Sequence, residues 1–126
     1  VPNYFALNQG NAELFAEEIA SLCEIGLPVR VILDITNLPP KNLSTAIEAA
    51  IDAGATGLQS GNGFGPAVSP ADIRKIANLA HGRCGIKAAG GLKTLLQVID
   101  LVEAGATLLG TGLGAELMQE LRRRPK

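Results

Sequence analysis

The stretch Cys84-Gly85-Ile86-Lys87-Ala88-Ala89-Gly90-Gly91 decides how the rest of the chain is interpreted. A single lysine stands among small and apolar residues that are typical of a buried strand. Desolvation of an ammonium group costs free energy, which favours the neutral amine that nucleophilic chemistry requires. The glycine pair that follows lets the backbone approach an anion closely, near the start of a helix. A plainer alternative is that Lys87 ends an edge strand and points into water.

Helical and strand-like patterns alternate on both sides of this stretch, with capping residues and glycines between them. The strand at 29–35 is nearly all apolar, which predicts that both of its faces are covered. The predicted elements are, in order, a helix capped by Asn11 and ended by Gly26, the strand at 29–35, a helix opened by Pro39-Pro40 with Gly54 beyond its end, a strand at 55–59, a helix from Pro70 to about Ala80, the Lys87 strand, a helix capped by Thr94 and ended by Gly105, a strand at 107–109 and a last helix ending in Arg122-Arg123-Arg124.

One segment is repeated. Ala53-Gly54-Ala55-Thr56-Gly57-Leu58 returns as Ala104-Gly105-Ala106-Thr107-Leu108-Leu109, and each copy is predicted to be a helix end, a glycine turn and a strand. Repeated βα units predict an α/β fold with a parallel sheet, here a partial TIM (β/α)8 barrel. A whole barrel needs about 250 residues. The 126 residues therefore form a single domain with about half of the strands.

Composition narrows the function classes. Apolar residues make up 47% and charged residues 18% of the chain, and the net charge is −1, which argues against nucleic-acid and membrane partners. No apolar run approaches the roughly 18 residues of a membrane span. Two cysteines fit a reducing compartment, so we expect a cytoplasmic protein. The chain begins at Val1 rather than methionine, which suggests a cut or processed start.

Glycine-rich loops suggest an anion site. In (β/α)8 barrels ligands bind at the carboxyl ends of the strands, and the loops after the last two strands often hold a phosphate. Here those loops contain Gly90-Gly91 and Gly110-Thr111-Gly112. We expect their backbone N–H groups to hold a phosphate-sized anion, although such loops are also common as plain turns.

The Lys87 stretch, extended through Leu92-Lys93-Thr94, resembles the C-terminal half of deoxyribose-phosphate aldolase. The resemblance continues through the segments at 29–33, 53–55, 60–65, 103–107 and 110–111, and 1–11 is similar to that family's fourth strand and following loop. It implies that residues 1–126 are a single C-terminal half-barrel whose N-terminal half is missing.

The resemblance also implies a reaction. The family is a class I aldolase that uses no metal and no cofactor: a strand-six lysine forms a Schiff base with acetaldehyde, which adds to glyceraldehyde 3-phosphate to give 2-deoxyribose 5-phosphate. A second lysine on strand seven lowers the pKa of the first. Lys87 takes the place of this second lysine, and Arg30 that of a basic residue on strand five. Gly63, Gly90 and Gly91 fall on phosphate-binding positions.

The chain departs from that family at the reacting centre. Gln59 replaces the Schiff-base lysine, Gly112 and Leu113 stand where serines are common, and the acidic residue of strand four would precede Val1. Loss of a covalent nucleophile usually costs many orders of magnitude in rate. Whether the chain is an enzyme therefore stays open between an impaired family member that binds a metabolite or a protein, an active aldolase with Lys87 as the amine, and a structural remnant.

Half of a barrel also predicts a partner. An incomplete barrel exposes sheet edges and an apolar inner face, which favours pairing with a second copy or with the missing half. His81 has no second histidine to share a metal, and it is expected to meet the last carbonyls of its helix.

Overall fold

The computed structural model describes residues 10–33, 35, 38–61, 68–89, 92 and 94–110. Helices and strands alternate throughout this part of the chain, as predicted. The elements are α1 (Ala12–Cys23), β1 (Arg30–Ile32), α2 (Pro40–Asp52), β2 (Gly57–Gln59), α3 (Pro70–Ala80), β3 (Gly85–Ala89), α4 (Leu95–Ala104) and β4 (Leu108–Gly110). The predicted last helix lies outside the described residues. None of the four helices is both long enough and apolar enough to cross a membrane.

The four strands form one parallel sheet in the order β1-β2-β3-β4. Each strand lies beside its neighbour in the chain, and a helix connects every pair, which is the arrangement of consecutive βα units in a barrel. The first strand is shorter than the predicted 29–35. Beyond Ile32, single backbone bonds continue the contact with β2, from Leu33 N–H to the Gln59 carbonyl (2.8 Å) and from Ile35 N–H to the Ser60 carbonyl (3.0 Å).

Local capping signals were predicted correctly. The side chains of Asn11, Ser69 and Thr94 each accept a hydrogen bond from the backbone N–H three residues later, at 3.1, 3.1 and 3.2 Å. The Thr94 N–H in turn donates to the side-chain oxygen of Gln97, which completes a capping box. These bonds satisfy N–H groups that no residue inside the helix can reach.

The core lies between one face of the sheet and the helices. Alternate strand residues Val31, Leu33, Leu58, Ile86 and Ala88 are at most 4% exposed. The helices cover them with apolar side chains of Phe15, Ile19, Leu43, Ala46, Ile47, Ala50, Ile73, Ile76, Ala80, Leu101 and Ala104. Each fully buried Leu, Ile or Phe contributes about 1.5–3 kcal/mol.

The opposite face of the sheet is open in the part of the chain that the structure describes. Arg30 and Leu108 are exposed, and Ile32, Gln59 and Lys87 are partly buried. Among the described residues the helices pack on one face of the first strand, so the predicted cover on both faces is not found there. We call this second surface the inner face, since it corresponds to the interior of a barrel.

The two copies of the repeated segment adopt the same structure. Gly54 and Gly105 have positive φ angles of 108° and 124°, and each ends a helix. Thr56 and Thr107 follow, and the backbone N–H of each donates to the strand before it, to the Val29 carbonyl (3.0 Å) and the Ile86 carbonyl (2.8 Å). The repetition thus encodes two equivalent turns that start neighbouring parallel strands.

Candidate functional site

The site predicted from sequence lies at the carboxyl ends of the strands, on the inner face. Gln59 pairs with Lys87 across β2 and β3, and Lys87 pairs with Leu108 across β3 and β4. Laterally paired residues of a parallel sheet point to the same face, and neighbouring strands lie about 4.8 Å apart. The amide of Gln59 and the amine of Lys87 are therefore carried by adjacent positions of one row.

The Lys87 side chain extends along the sheet towards its carboxyl edge. A β-carbon at Gly110, two residues beyond the partner of Lys87, would lie 3.0 Å from Cε and 3.7 Å from Nζ of the lysine. The side chain is partly buried, and no hydrogen bond or ion pair within the described ranges engages Nζ. The alternative that Lys87 ends an edge strand is wrong, because β3 pairs with β2 on one side and with β4 on the other.

Gln59 is engaged by the backbone. Its Nε2 donates a hydrogen bond of 2.6 Å to the carbonyl of Gly61, two residues later. The amide thereby fixes the chain just beyond the end of β2. An amide nitrogen carries no available lone pair, so this side chain acts as a hydrogen-bonding group and not as a nucleophile.

Ser60 joins the ends of β2 and β3, a role that the sequence analysis missed. Its side chain is 1% exposed; Oγ donates to the Ala89 carbonyl and accepts from the Ala89 N–H, both at 3.1 Å. The Ser60 backbone N–H also donates to the Lys87 carbonyl at 3.1 Å. A hydroxyl residue between a strand and a glycine was the available signal, but its partner is 29 positions away.

Arg30 is not in the row that contains Gln59 and Lys87. It pairs with Gly57, two residues before Gln59, and so lies nearer the amino ends of the strands. The arginine is exposed, and its side chain covers the Gly57 backbone, with Nε 3.5 Å from where a β-carbon would be. Two strand positions correspond to about 6.6 Å, so the site unites Gln59 and Lys87 but not Arg30.

Most predicted phosphate-binding positions lie outside the described residues. These are Gly63, Gly90, Gly91, Thr111 and Gly112, together with Leu113. Gly110 is described and ends β4, beside Ala89 at the carboxyl edge of the sheet. Within the described ranges, no three His, Cys, Asp or Glu side chains are grouped so as to hold a metal ion.

Two charged side chains join α2 to the turn before β3. Arg83 donates to both carboxylate oxygens of Glu48, at 3.0 and 2.6 Å, and also to the carbonyls of Leu79 and Ala80. The hydrogen bond from Arg83 lowers the pKa of Glu48, and it raises that of the guanidinium. Burial raises the pKa of the Cys84 thiol, which is partly buried beside this pair. The pair of Arg83 and Glu48 lies away from the inner face and joins α2 to the end of α3.

Comparison with known sequences gives one clear group of relatives. No family model matches the chain. It is 41% identical to a deoxyribose-phosphate aldolase of Trichormus variabilis, over 95% of this chain and 54% of the relative. It is 39% identical to another from Thermosynechococcus vestitus, over 90% of this chain and 52% of the relative. The chain thus spans about half the length of the curated relatives it matches.

Solved structures give the same result. An aldolase described as QR15 superposes with a TM-score of 0.90 at 28% identity, over 98% of this chain and 57% of its own. A putative deoxyribose-phosphate aldolase from Coccidioides immitis has a TM-score of 0.86 at 25% identity, over 96% of this chain and 50% of its own. The predicted resemblance to deoxyribose-phosphate aldolases and the predicted α/β half of a TIM barrel are both confirmed.

Proposed function

We propose that this chain is the C-terminal half-barrel of a deoxyribose-phosphate aldolase-like protein that binds a sugar phosphate but forms no Schiff base at position 59. The reaction of the family joins acetaldehyde to glyceraldehyde 3-phosphate, and it runs in reverse from 2-deoxyribose 5-phosphate. Similarity to proteins named deoxyribose-phosphate aldolase supports the class of ligand. The departures at the site support impaired catalysis.

One observation carries this proposal: Gln59 and Lys87 occupy adjacent, laterally paired positions on the inner face. The resemblance assigns lysines to both positions. A Schiff base forms when a neutral primary amine attacks a carbonyl carbon and water leaves. The Gln59 amide cannot make this attack, and its Nε2 is bonded to the Gly61 carbonyl. The row retains a cation and a polar amide, which suit the binding of a phosphorylated sugar.

A second candidate is an active aldolase that uses Lys87 as its amine. The observation in its favour is the orientation of Lys87, whose side chain reaches the carboxyl edge of the sheet without an ion-pair partner in the described part of the chain. With Gln59 beside it, the site lacks the neighbouring positive charge that promotes a free amine in the two-lysine arrangement.

Phosphate binding at this edge is part of the proposal. Backbone N–H groups would bind the phosphate, as those of glycine-rich loops at the end of a barrel do. The residues that would supply them are Gly63, Gly90, Gly91, Gly110, Thr111 and Gly112. Of these, Gly110 lies next to Lys87. A phosphate bound there would meet both the backbone donors and the lysine charge.

We further propose that the inner face is covered in the working protein, by a second copy or by a complementary barrel segment. Leu108 lies on this face and is 48% exposed, and a strand residue of this kind belongs to the interior in a closed barrel. The related structure from Aeropyrum pernix is described as tetrameric. Cys23 and Cys84 are both free thiols, in keeping with a reducing compartment such as the cytoplasm.

Borohydride trapping distinguishes the candidates. The purified protein is incubated with acetaldehyde, reduced with borohydride and analysed by peptide mass spectrometry. A two-carbon adduct that forms much faster at Lys87 than at the exposed residues Lys41 and Lys75 would establish the second candidate and refute impaired catalysis. No preferential adduct at Lys87, together with a higher melting temperature in millimolar 2-deoxyribose 5-phosphate, is the result we expect. Absence of both would leave a structural remnant and refute the proposal.

A further inference from the structure

We infer that Gly110 is a positioning residue for Lys87: the lack of a side chain at the end of β4 is what lets the lysine lie along the sheet and hold Nζ at its carboxyl edge. The inference deepens the proposed function and rests on it, because Lys87 matters there as the cation that meets the ligand. It explains how the amine of Lys87 is oriented, whereas the pairing of Gln59 with Lys87 shows only that the two residues are adjacent.

The distances show how closely the two residues approach. A β-carbon at Gly110 would lie 3.0 Å from Lys87 Cε, 3.3 Å from Ala89 Cβ and 3.7 Å from Lys87 Nζ. Carbon atoms in ordinary van der Waals contact are about 3.5–4.0 Å apart. A β-carbon at position 110 would therefore be closer to Lys87 Cε than ordinary contact allows, and the end of the lysine side chain would have to shift to make room for it.

The strand register explains why position 110 has this effect. Lys87 pairs with Leu108, and the next residue of β4 on the same face is Gly110, which pairs with Ala89. Long side chains in a sheet lean along the strand and reach diagonal neighbours. The Lys87 side chain therefore passes over Gly110 and Ala89, the two smallest residue types. Leu108 lies beside Lys87 on the neighbouring strand.

Backbone conformation is not the reason for this glycine. Gly10, Gly26, Gly54, Gly82 and Gly105 have positive φ angles, whereas Gly110 does not. An L-residue can adopt the conformation found at Gly110 without strain, and β-branched residues are favoured in strands. What glycine supplies here is space, and the far end of the Lys87 side chain uses it.

The test compares Gly110→Ala and Gly110→Val with a matched glycine of the same face. Gly57→Ala is the control, because its β-carbon would meet only ordinary contacts of 3.5 Å or more with Arg30 and the Gly85 carbonyl. The readout is the methylation profile at one fixed pH, that is, the rate of reductive methylation of Lys87 relative to the exposed residues Lys41 and Lys75, measured by peptide mass spectrometry. Circular dichroism and melting temperature verify that each variant is folded.

In Gly110→Ala the added carbon pushes the end of the Lys87 side chain away from the sheet, so we expect Lys87 to be methylated about threefold faster relative to Lys75. Gly110→Val should increase the relative methylation of Lys87 further, because valine has a larger side chain. In the same variants the dissociation constant for 2-deoxyribose 5-phosphate should rise by about fivefold or more, with Gly57→Ala within about twofold of the parent protein.

An unchanged methylation profile in folded Gly110→Val would overturn the inference, as would unfolding of both Gly110 variants, which would make the glycine a structural residue only. The proposed function fails in a different way. If the parent protein binds no sugar phosphate while the methylation profile still shifts in Gly110→Ala, the role of Gly110 stands and the proposed ligand is wrong.

Discussion

Replacement of Gln59 by lysine should restore the step that this chain lacks. Gln59→Lys places a primary amine next to Lys87 in the same lateral row of the inner face. The substitution removes the hydrogen bond from Nε2 to the Gly61 carbonyl, but a lysine in the same position can donate to that carbonyl from its own amine. The strand itself is preserved, because the residues that pack into the core are the alternate ones.

The neighbouring charge sets the size of the effect. Two ammonium groups about 6 Å apart, at an effective dielectric constant of about 20, repel one another by about 3 kcal/mol. This repulsion lowers the pKa of the introduced amine by about 2 units from its ordinary value of about 10.4. Near neutral pH, the neutral and reactive fraction of that amine rises on the order of a hundredfold.

The assay is borohydride trapping with acetaldehyde at about neutral pH, read as an adduct at position 59 by mass spectrometry. Gln59→Met, which has a similar length and no amine, should give no adduct. The double variant Gln59→Lys with Lys87→Met keeps the new amine but removes the neighbouring charge, so its trapping should be slower by most of the hundredfold factor. Equal trapping in the single and double variants would refute the electrostatic reasoning, and no trapping in folded Gln59→Lys would refute the assignment of position 59.

Two further predictions concern the stability of the scaffold. Ser60→Ala removes both buried hydrogen bonds of its hydroxyl, to the N–H and to the carbonyl of Ala89, the last residue of β3. It should lower the free energy of unfolding by about 2–4 kcal/mol in urea titrations, against less than about 0.5 kcal/mol for the exposed Ser21→Ala. A similar loss in both variants would contradict the role given to the buried hydrogen bonds of Ser60. The second concerns Glu48, whose pKa in the folded protein is lowered by Arg83. Its contribution is present above the ordinary value of 4.5 and disappears as pH falls through the lowered value, so the melting temperatures of parent and Glu48→Gln should differ at about pH 7 and converge near pH 3. A difference that persists in acid would contradict this account.

Local signals in the sequence predicted the layout of the fold well. The caps at Asn11, Ser69 and Thr94 bind the N–H groups expected of them, because a cap needs only residues three positions apart. The repeated segment predicted two equivalent turns, because a turn likewise depends on residues that are close together in the sequence. The length of the first strand was overestimated, since an apolar run reports burial and not how far a ladder of hydrogen bonds extends.

Features that depend on register were beyond the sequence. Lys87 and Gln59 were identified as a pair by resemblance, but the packing of Lys87 against Gly110 follows from the alignment of β3 with β4. Likewise, the Oγ of Ser60 finds its partners on a different strand. The separation of Arg30 from the row of Gln59 has the same origin, because sequence motifs do not say how far along a sheet two strands are displaced.

The alternation of side chains along these strands separates two kinds of selection. Substitutions on the helix-facing side of β2, at Leu58, meet a tightly filled interior and are removed when they lower stability. Substitutions one position along, at Gln59, leave that interior untouched. Reactivity in this fold can therefore be lost or regained one residue at a time at little thermodynamic cost, which makes such a sheet a ready source of proteins that share a shape and differ in their chemistry.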